Sequence, residues 1–363
     1  MKKITELWVD RQHLRETKIV QQDQQPLEDG QIRVAIDKMG LTANNVSYAV
    51  SGDMIGYWKY FPADGGWGKV PGWAIVDVVE SRSNSIAVGE RLYGFFPMAS
   101  EVVLQPGHVA DDFFMDMAPH RAELPALYNQ YRRTQGEPEF LHSLEDERCL
   151  LFPLFVTSFV LYDYLIDNAF FGAEQVIIGS VSSKTGFGLA HLLRNDAEIR
   201  QKVVGLTSPG NVEFVESLGC CDQIVTYGEE SAIDANLPTA WIDMSGDGPL
   251  TGTLHRLLGE NMVESCIVGA THWEAERKRD KDLPGANPTF FFAPGHIAKR
   301  DAEWGQGEIW RRGSEAGADI ARSVADQLSV ERIVGATDVA AIWCAMLDNK
   351  ISPDRGIMIS VEG

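Results

Sequence analysis

Serine, lysine, threonine and glycine crowd one turn of this chain, a composition suited to holding phosphate. Gln175 to Arg194 reads QVIIGSVSSKTGFGLAHLLR. Val176, Ile177, Ile178 and Gly179 form a short apolar run, the pattern of a buried strand in a parallel sheet. Ser180, Ser182, Ser183, Lys184 and Thr185 follow with four hydroxyls and a cation, and Phe187, Leu189, Ala190, Leu192 and Leu193 begin an apolar helix. Strand, tight turn and helix N-terminus turn unpaired backbone N–H groups and the positive end of a helix dipole toward an anion. Gly186 and Gly188 let the backbone approach a pyrophosphate and let helix pack on strand.

Two nucleotide readings compete. A P-loop requires G-x-x-x-x-G-K-[ST]. Lys184-Thr185 is present, but Ser183 replaces the glycine before it and Gly179 lies one residue too close. Dinucleotide binding fits better, although Gly186-x-Gly188 is followed by Ala190 and no third glycine. After the second strand, Val203 to Leu206, an NAD site would carry an acid for the ribose hydroxyls. The chain instead has Thr207, Ser208 and Asn211. Hydroxyls there tolerate a 2′-phosphate and Lys184 is a nearby cation, which favours NADP(H). The bland alternative is that Thr207 and Ser208 cap a helix.

A second stretch with chemical potential is Leu41 to Trp73, where Tyr48, Tyr57, Trp58, Tyr60, Phe61, Trp67 and Trp73 stand among glycines and prolines. Such a loop is either a pocket wall or an ordered cover on the core.

The elements around these stretches divide the chain. Met1 to about Pro106 reads as short β segments: Gln31–Ile36 alternates, Ala74–Glu80 is β-branched, and Arg91–Phe96 follows a turn. His108–Glu147 reads as an irregular connection with one helix around Ala122–Thr134, and Cys149–Asn168 as a long apolar helix. From Gln175 strand and helix alternate, with further strands at Gln223–Thr226, Ala240–Met244, Glu264–Val268 and Thr289–Ala293. That alternation predicts an α/β chain with a parallel, doubly wound sheet.

Composition removes several function classes. The 363 residues carry 32 basic and 52 acidic side chains, a formal charge of −20, which repels nucleic acid and anionic membrane surfaces. No apolar run reaches membrane-spanning length, and no signal-peptide pattern opens the sequence. Five cysteines without C-x-x-C spacing read as reduced thiols in a cytoplasmic protein. The eight scattered histidines assemble no ligand set for zinc, so no metal is expected.

PGWAIVDVVES-(x)6-VGERLYGFF (71–96), VTSFVLYDYLIDNAFFGAEQVIIGSVSSKTGFG (156–188), VVGLTSPGNVEFVESLGCCDQIVTY (203–227) and IVGA (267–270) resemble the medium-chain dehydrogenase/reductase superfamily, close to its zinc-free quinone-oxidoreductase branch and to an uncharacterised subgroup of it. The resemblance implies a GroES-like domain over residues 1–145, completed by about 300–363, and a Rossmann dinucleotide-binding domain over 146–299. It places Thr157 under the cofactor, Met244, Ser245 and Gly246 beside the adenosine, and Gly269, Ala270 and Thr271 by the nicotinamide ribose. Phe291 and Phe292 would lie near the nicotinamide amide. Zinc-free relatives use a tyrosine or a bound water on the N-terminal domain's aromatic loop to protonate the acceptor. Tyr57 matches that place best, with Tyr48 and Asn45 next. The edge strand TFFFA (289–293) implies a homodimer.

The combined expectation is an enzyme that moves a hydride from NADPH to a small apolar or aromatic quinone, enone or carbonyl acceptor. The competing expectation is a redox sensor or structural relative that binds NADP(H) without turnover. A P-loop phosphotransferase is third.

Overall fold

The computed structural model describes residues 2–269, 282–291 and 293–362. It divides into two compact units, Met1–Leu150 with Ser329–Gly363, and Leu151–Leu328.

Antiparallel pairing builds the first unit. β1 (Lys3–Asp10) and β2 (Thr17–Asp23) form a hairpin, and β3 (Ile32–Leu41) leads into the helices α1 (Ala43–Val50) and α2 (Gly52–Ile55). β4 (Trp67–Gly68) closes a three-stranded sheet in the order β2-β1-β4. Six further strands follow: β5 (Pro71–Ser81), β6 (Arg91–Pro97), β7 (Glu101–Leu104), β8 (Pro106–Gly107), β9 (Phe113–Asp116) and β10 (Gln130–Arg133). α3 (Glu145–Leu150) ends the stretch.

Two expectations fail here for local reasons. The aromatic loop contains α1, because Thr42 and Asn45 form a reciprocal capping box that nucleates a helix. The helix expected at Ala122–Thr134 is a 3-10 turn, Ala126–Asn129, followed by β10. Tyr131 decides it. Its ring lies 4.9 Å from Phe96 and 5.5 Å from Phe114, and its hydroxyl donates to the Phe95 carbonyl at 3.0 Å. Its neighbours Gln130 and Arg132 are half-buried, the alternation of a strand.

The second unit begins with α4 (Phe152–Asp167) and then alternates: β11 (Gln175–Gly179), α5 (Lys184–Asn195), β12 (Lys202–Thr207), α6 (Val212–Leu218), β13 (Gln223–Thr226). β14 (Thr239–Asp243), α7 (Gly248–Leu258), β15 (Met262–Ile267) and β16 (Thr289–Phe290) complete the sheet. Every pairing in it is parallel, in the order β13-β12-β11-β14-β15-β16. Ile177, Val204, Leu206, Trp241 and Leu254 form the core against one face. α6 stops at Gly219, whose φ of 60° is the left-handed cap a glycine accepts without strain. α8 (Ala293–Trp304) and α9 (Glu308–Ser323) belong to this unit. Residues 300–328 therefore do not join the first unit: the small positions Gly313 and Gly317 let α9 lie close on Val156, Phe159 and Phe155 of α4.

The chain re-enters the first unit with β17 (Ser329–Val334), α10 (Ala336–Leu347) and β18 (Arg355–Ser360). β18 pairs antiparallel with β3 and parallel with β17. The resulting large sheet runs β17-β18-β3-β5-β6-β10-β9-β8, with β7 also on β3.

Candidate functional site

In the second unit, strand order reverses between β11 and β14. A crevice beyond the carboxyl ends of strands at such a reversal is where open α/β sheets take ligands. The turn after β11 opens there. Only residues 180–183 separate the strand from α5, too short a wrap for a P-loop. Ser183 is the N-cap and its hydroxyl accepts the Gly186 N–H at 3.2 Å. Capping at that position leaves the first helical N–H groups directed at whatever anion lies ahead.

The two glycines do different work from that expected of a pyrophosphate cradle. A Cβ on Gly186 would come within 2.6 Å of the Ser180 carbonyl oxygen and 2.9 Å of Val181 Cα, so this glycine lets the helix start tuck against its own turn. A Cβ on Gly188 would come within 2.6 Å of Ser158 Oγ and 2.8 Å of the Phe155 ring. Gly188 is thus a contact point between α5 and α4. Ser180 carries the turn's backbone strain, with φ at 51°, and its N–H donates to the Tyr227 hydroxyl at 2.9 Å. Burial raises the Tyr227 pKa to about 12.

The hydroxyls after β12 are partly spent. Thr207 is fully buried and donates to Ser182 Oγ at 3.1 Å, and Asn211 Nδ2 donates to the same oxygen at 3.2 Å. Ser182 therefore ties the ends of β11 and β12 together. The Thr207 hydroxyl, expected at a ligand, is engaged within the fold. Ser208 stays half-buried and makes no side-chain cap to the 3-10 turn after it. Among the described residues no acid stands at positions 207–211.

At the end of β14 the main determinant is Asp243, buried to 1% exposure. Its Oδ1 accepts from Ser245 N at 2.8 Å, Ser245 Oγ at 2.5 Å and Gly246 N at 3.0 Å. Burial pushes its pKa up, and these donors oppose the shift. The carboxylate shapes the Met244–Gly246 turn, and a Cβ on Gly269 would meet the Met244 carbonyl oxygen at 2.5 Å. Gly269 thus keeps the loops after β14 and β15 in close contact. Ala270, Thr271 and Phe292 lie outside the described residues.

α4 also departs from expectation. Thr157 donates to the Pro153 carbonyl one turn earlier, at 3.2 Å, while its neighbour Ser158 donates to the Thr185 carbonyl of α5 at 2.8 Å. Phe291 is engaged in helix packing: its ring lies 5.2 Å from Tyr164, against Val156, Val160 and Ile309.

In the first unit, α1 and its neighbours gather tyrosines. Tyr48, Tyr57, Tyr60, Phe61 and Phe95 form a buried cluster with Trp73, Leu124 and Tyr128 against it. Tyr48 and Tyr57 ring centroids are 4.6 Å apart. The Tyr57 and Tyr128 hydroxyls share a hydrogen bond of 3.0 Å. Tyr48 Oη accepts from Asn44 Nδ2 at 2.7 Å and from Trp73 Nε1 at 3.2 Å. Burial raises the pKa of Tyr48, Tyr57 and Tyr128, so all three stay protonated at neutral pH. Asn45 is not among the available donors. Its Oδ1 accepts the Thr42 N–H at 2.8 Å and its Nδ2 donates to the Pro71 carbonyl at 2.9 Å, so it holds the helix start against β5. Sequence reading missed Tyr128, which lies in the stretch Ala122–Thr134 expected to be helical, and Asn44, whose signal was its spacing of four before Tyr48.

Asp10, His13 and Glu16, in the β1–β2 turn, can bring one ligand atom each within 4.8 Å of one another. Asp10 Oδ1 already accepts from the N–H groups of Gln12 and His13, which explains the grouping as turn geometry.

These two units define a GroES-like domain and a Rossmann domain, the architecture of the medium-chain dehydrogenases/reductases. A quinone oxidoreductase from Coxiella burnetii shares it at 15% identity, over 99% of this chain and 100% of that one, with a TM-score of 0.52. So do CurA in complex with NADPH from Vibrio vulnificus (10% identity, 96% and 94% covered, TM-score 0.57) and the yhdH oxidoreductase from Salmonella enterica in complex with NADP (13% identity, 99% and 100% covered, TM-score 0.54). At such identities the likeness establishes the fold. In sequence, the family described as "Protein of unknown function (DUF2855)" matches residues 39–352, and the chain belongs to that family. No curated protein matches it in sequence. Among the described residues no helix is long and apolar enough to cross a membrane.

Proposed function

We propose that this protein is an NADP(H)-dependent oxidoreductase that reduces a quinone, enone or related carbonyl acceptor. The observation that carries the reading is the Ser183-capped start of α5 at the strand-order reversal, with no acid at positions 207–211. These residues fit the nucleotide: the α5 N-terminus would hold its pyrophosphate, and Ser208, Asn211 and Lys184 would hold its 2′-phosphate. When bound, the reduced nicotinamide supplies a hydride. The protein's own part is to orient the acceptor and to give its oxygen a proton, and the tyrosines around α1 are the groups suited to that. Hydroxyl and N–H donors make up that cluster, not the thiolate, imidazole and carboxylate set a catalytic zinc takes, which supports zinc-independent chemistry.

Exposed Phe290 on the two-residue edge strand β16 supports pairing of two copies into a homodimer. The absence of a membrane-crossing helix among the described residues is compatible with work in the cytoplasm. A second reading, cofactor binding without turnover, draws on the Tyr57–Tyr128 pair, whose hydroxyls satisfy each other.

Parallel calorimetric titration with NADPH, NADH and Mg-ATP, followed by a screen of quinones and enones for NADPH oxidation, tests the proposal. Tight NADPH binding with turnover supports it, binding without turnover on any acceptor supports the second reading, and no binding of either nicotinamide cofactor overturns both.

A further inference from the structure

We propose that Cys220 and Cys221 are a redox-sensitive pair that a peroxide closes to a vicinal disulfide, and that closure loosens the turn after β11. The coupling rests on the nucleotide reading above only where cofactor affinity is measured. The two residues follow Gly219, the left-handed end of α6, and precede β13. Both flanks are fixed. Gly219 N–H donates to the Glu216 carbonyl at 3.1 Å and Asp222 N–H to the Val203 carbonyl at 2.8 Å, while Asp222 Oδ2 accepts the Val203 N–H at 2.9 Å. Between these anchors the two thiols hydrogen-bond each other, which lowers the Cys220 pKa and raises the Cys221 one. The pair thus gives up its first proton readily and holds its second. Cys220 is buried and Cys221 half-buried, so a small oxidant reaches the pair from the Cys221 side.

In the step, a thiolate of the pair attacks one peroxide oxygen and the O–O bond breaks. The product is a sulfenic acid, and the departing hydroxide becomes water with the proton the first thiol gave up. The second sulphur then attacks the first. The S–S bond forms, the S–OH bond breaks, and that hydroxide leaves as water with the remaining thiol proton. Two thiols and one peroxide give one disulfide and two waters, the sulphurs losing the two electrons that the peroxide gains.

Cys221 is the link to the turn. Gly205 of β12 has no side chain, and a Cβ there would come within 2.8 Å of Cys221 Sγ and 2.7 Å of Val181 Cγ1. The Cys221 sulphur therefore packs on the bare face of Gly205, beside Val181. Val181 is fully buried in the turn, and its N–H donates to the Leu206 carbonyl at 3.0 Å. A disulfide holds its sulphurs about 2.05 Å apart, so closure draws the Cys221 sulphur toward Cys220 and off Gly205. Val181 loses a packing partner. A bridge between adjacent residues is also strained, hence easily reduced, as a reversible switch requires.

The test exposes the full chain to hydrogen peroxide, blocks remaining thiols and digests with trypsin. The peptide Val203–Arg256 contains these two cysteines and no other. It should be lighter by two hydrogens, and dithiothreitol should restore it. A sulfinic acid, or an unaltered peptide at peroxide levels that oxidise free cysteine, overturns the bridge. Hydrogen exchange over residues 179–187, measured without cofactor, should quicken severalfold on closure and stay constant when a folded Cys220→Ser protein meets peroxide. Equal exchange in the bridged and reduced forms, or quickening in Cys220→Ser as well, overturns the coupling. NADPH affinity in calorimetry should fall on the order of 10-fold on closure and return on reduction; equal affinity in the two forms overturns the link to the cofactor. Quickened exchange with no NADPH binding in either form sinks the nucleotide reading and leaves the switch standing.

Discussion

The turn after β11 and the tyrosine cluster around α1 are both rich in polar groups, but they use them in opposite ways. At the turn most side chains are consumed by the fold: Ser183 caps a helix, Ser182 ties two strands, Thr207 is buried, and Asp243 closes the neighbouring turn. What remains for a ligand there is mainly backbone N–H and a helix dipole, beside the Ser208, Asn211 and Lys184 side chains that the proposed reading gives to the 2′-phosphate. At the tyrosine cluster the contacts are made between side chains, Tyr57 with Tyr128 and Tyr48 with Asn44 and Trp73. The first region offers a ligand mainly main-chain atoms and tolerates little change; the second is built from side-chain atoms that can be removed singly.

The largest expected effect breaks the first region. Gly186→Val places a side chain against the Ser180 carbonyl and Val181 Cα, both backbone. The expected destabilisation is about 3 kcal/mol, with NADPH binding lost in calorimetry. If a folded Gly186→Val protein binds NADPH as wild type does, the turn is not the phosphate site. Asp243→Ala follows. It strands the N–H groups of Ser245 and Gly246 and should cost roughly 2–3 kcal/mol in urea unfolding. Asp243→Asn keeps one acceptor oxygen and should recover much of that.

How far each region was legible in the sequence follows from the same difference. The turn is continuous in sequence, so its strand, its glycines and its helix could be read from periodicity alone. The N-cap at Ser183 and the left-handed stop at Gly219 are written in residue type. The side-chain economy was not legible. Nothing local reveals that Thr207 points at Ser182, or that Ser158 and not Thr157 reaches α5. The tyrosine cluster joins residues 44, 48, 57, 73 and 128, which come from α1, the 3-10 turn at Tyr57–Lys59, β5 and the turn before β10 and meet only in the folded unit. α1 itself was hidden because two asparagines and a serine score poorly in a helix, and only the Thr42–Asn45 box overrides them. Residues 300–328 show the limit of pattern: α9 carries a clear apolar stripe, but the stripe does not say which helix it covers.

A smaller effect separates the electrostatics of the first unit from its tyrosines. Arg91 and Lys38 hold the Glu145 carboxyl down to about 2, from its usual 4.5. The folded-state pKa is lower than the unfolded one, so this pair's stabilisation is present above the usual value and is lost as pH falls from 4.5 toward about 2. Glu145→Gln should therefore lower stability at neutral and higher pH by on the order of 1–3 kcal/mol and flatten acid unfolding over that window. An unchanged acid limb would mean that other carboxylates set the acid stability of this unit.

The smallest effect sharpens the comparison most. Tyr57→Phe removes one partner of the Tyr57–Tyr128 bond and leaves both rings packed. The hydroxyl left on Tyr128 keeps Tyr48 as a hydrogen-bond neighbour, and the expected change is at most about 1 kcal/mol in chemical unfolding. Trp73→Phe should be similarly mild, because a phenyl ring keeps the stack on Tyr93 and only the N–H to Tyr48 is lost. Mild losses in both variants mean that these hydrogen bonds contribute little to folding, which is the behaviour of a region kept for chemistry. Losses of 3 kcal/mol or more would instead make the cluster part of the core, as the turn after β11 is, and the contrast between the two regions would disappear.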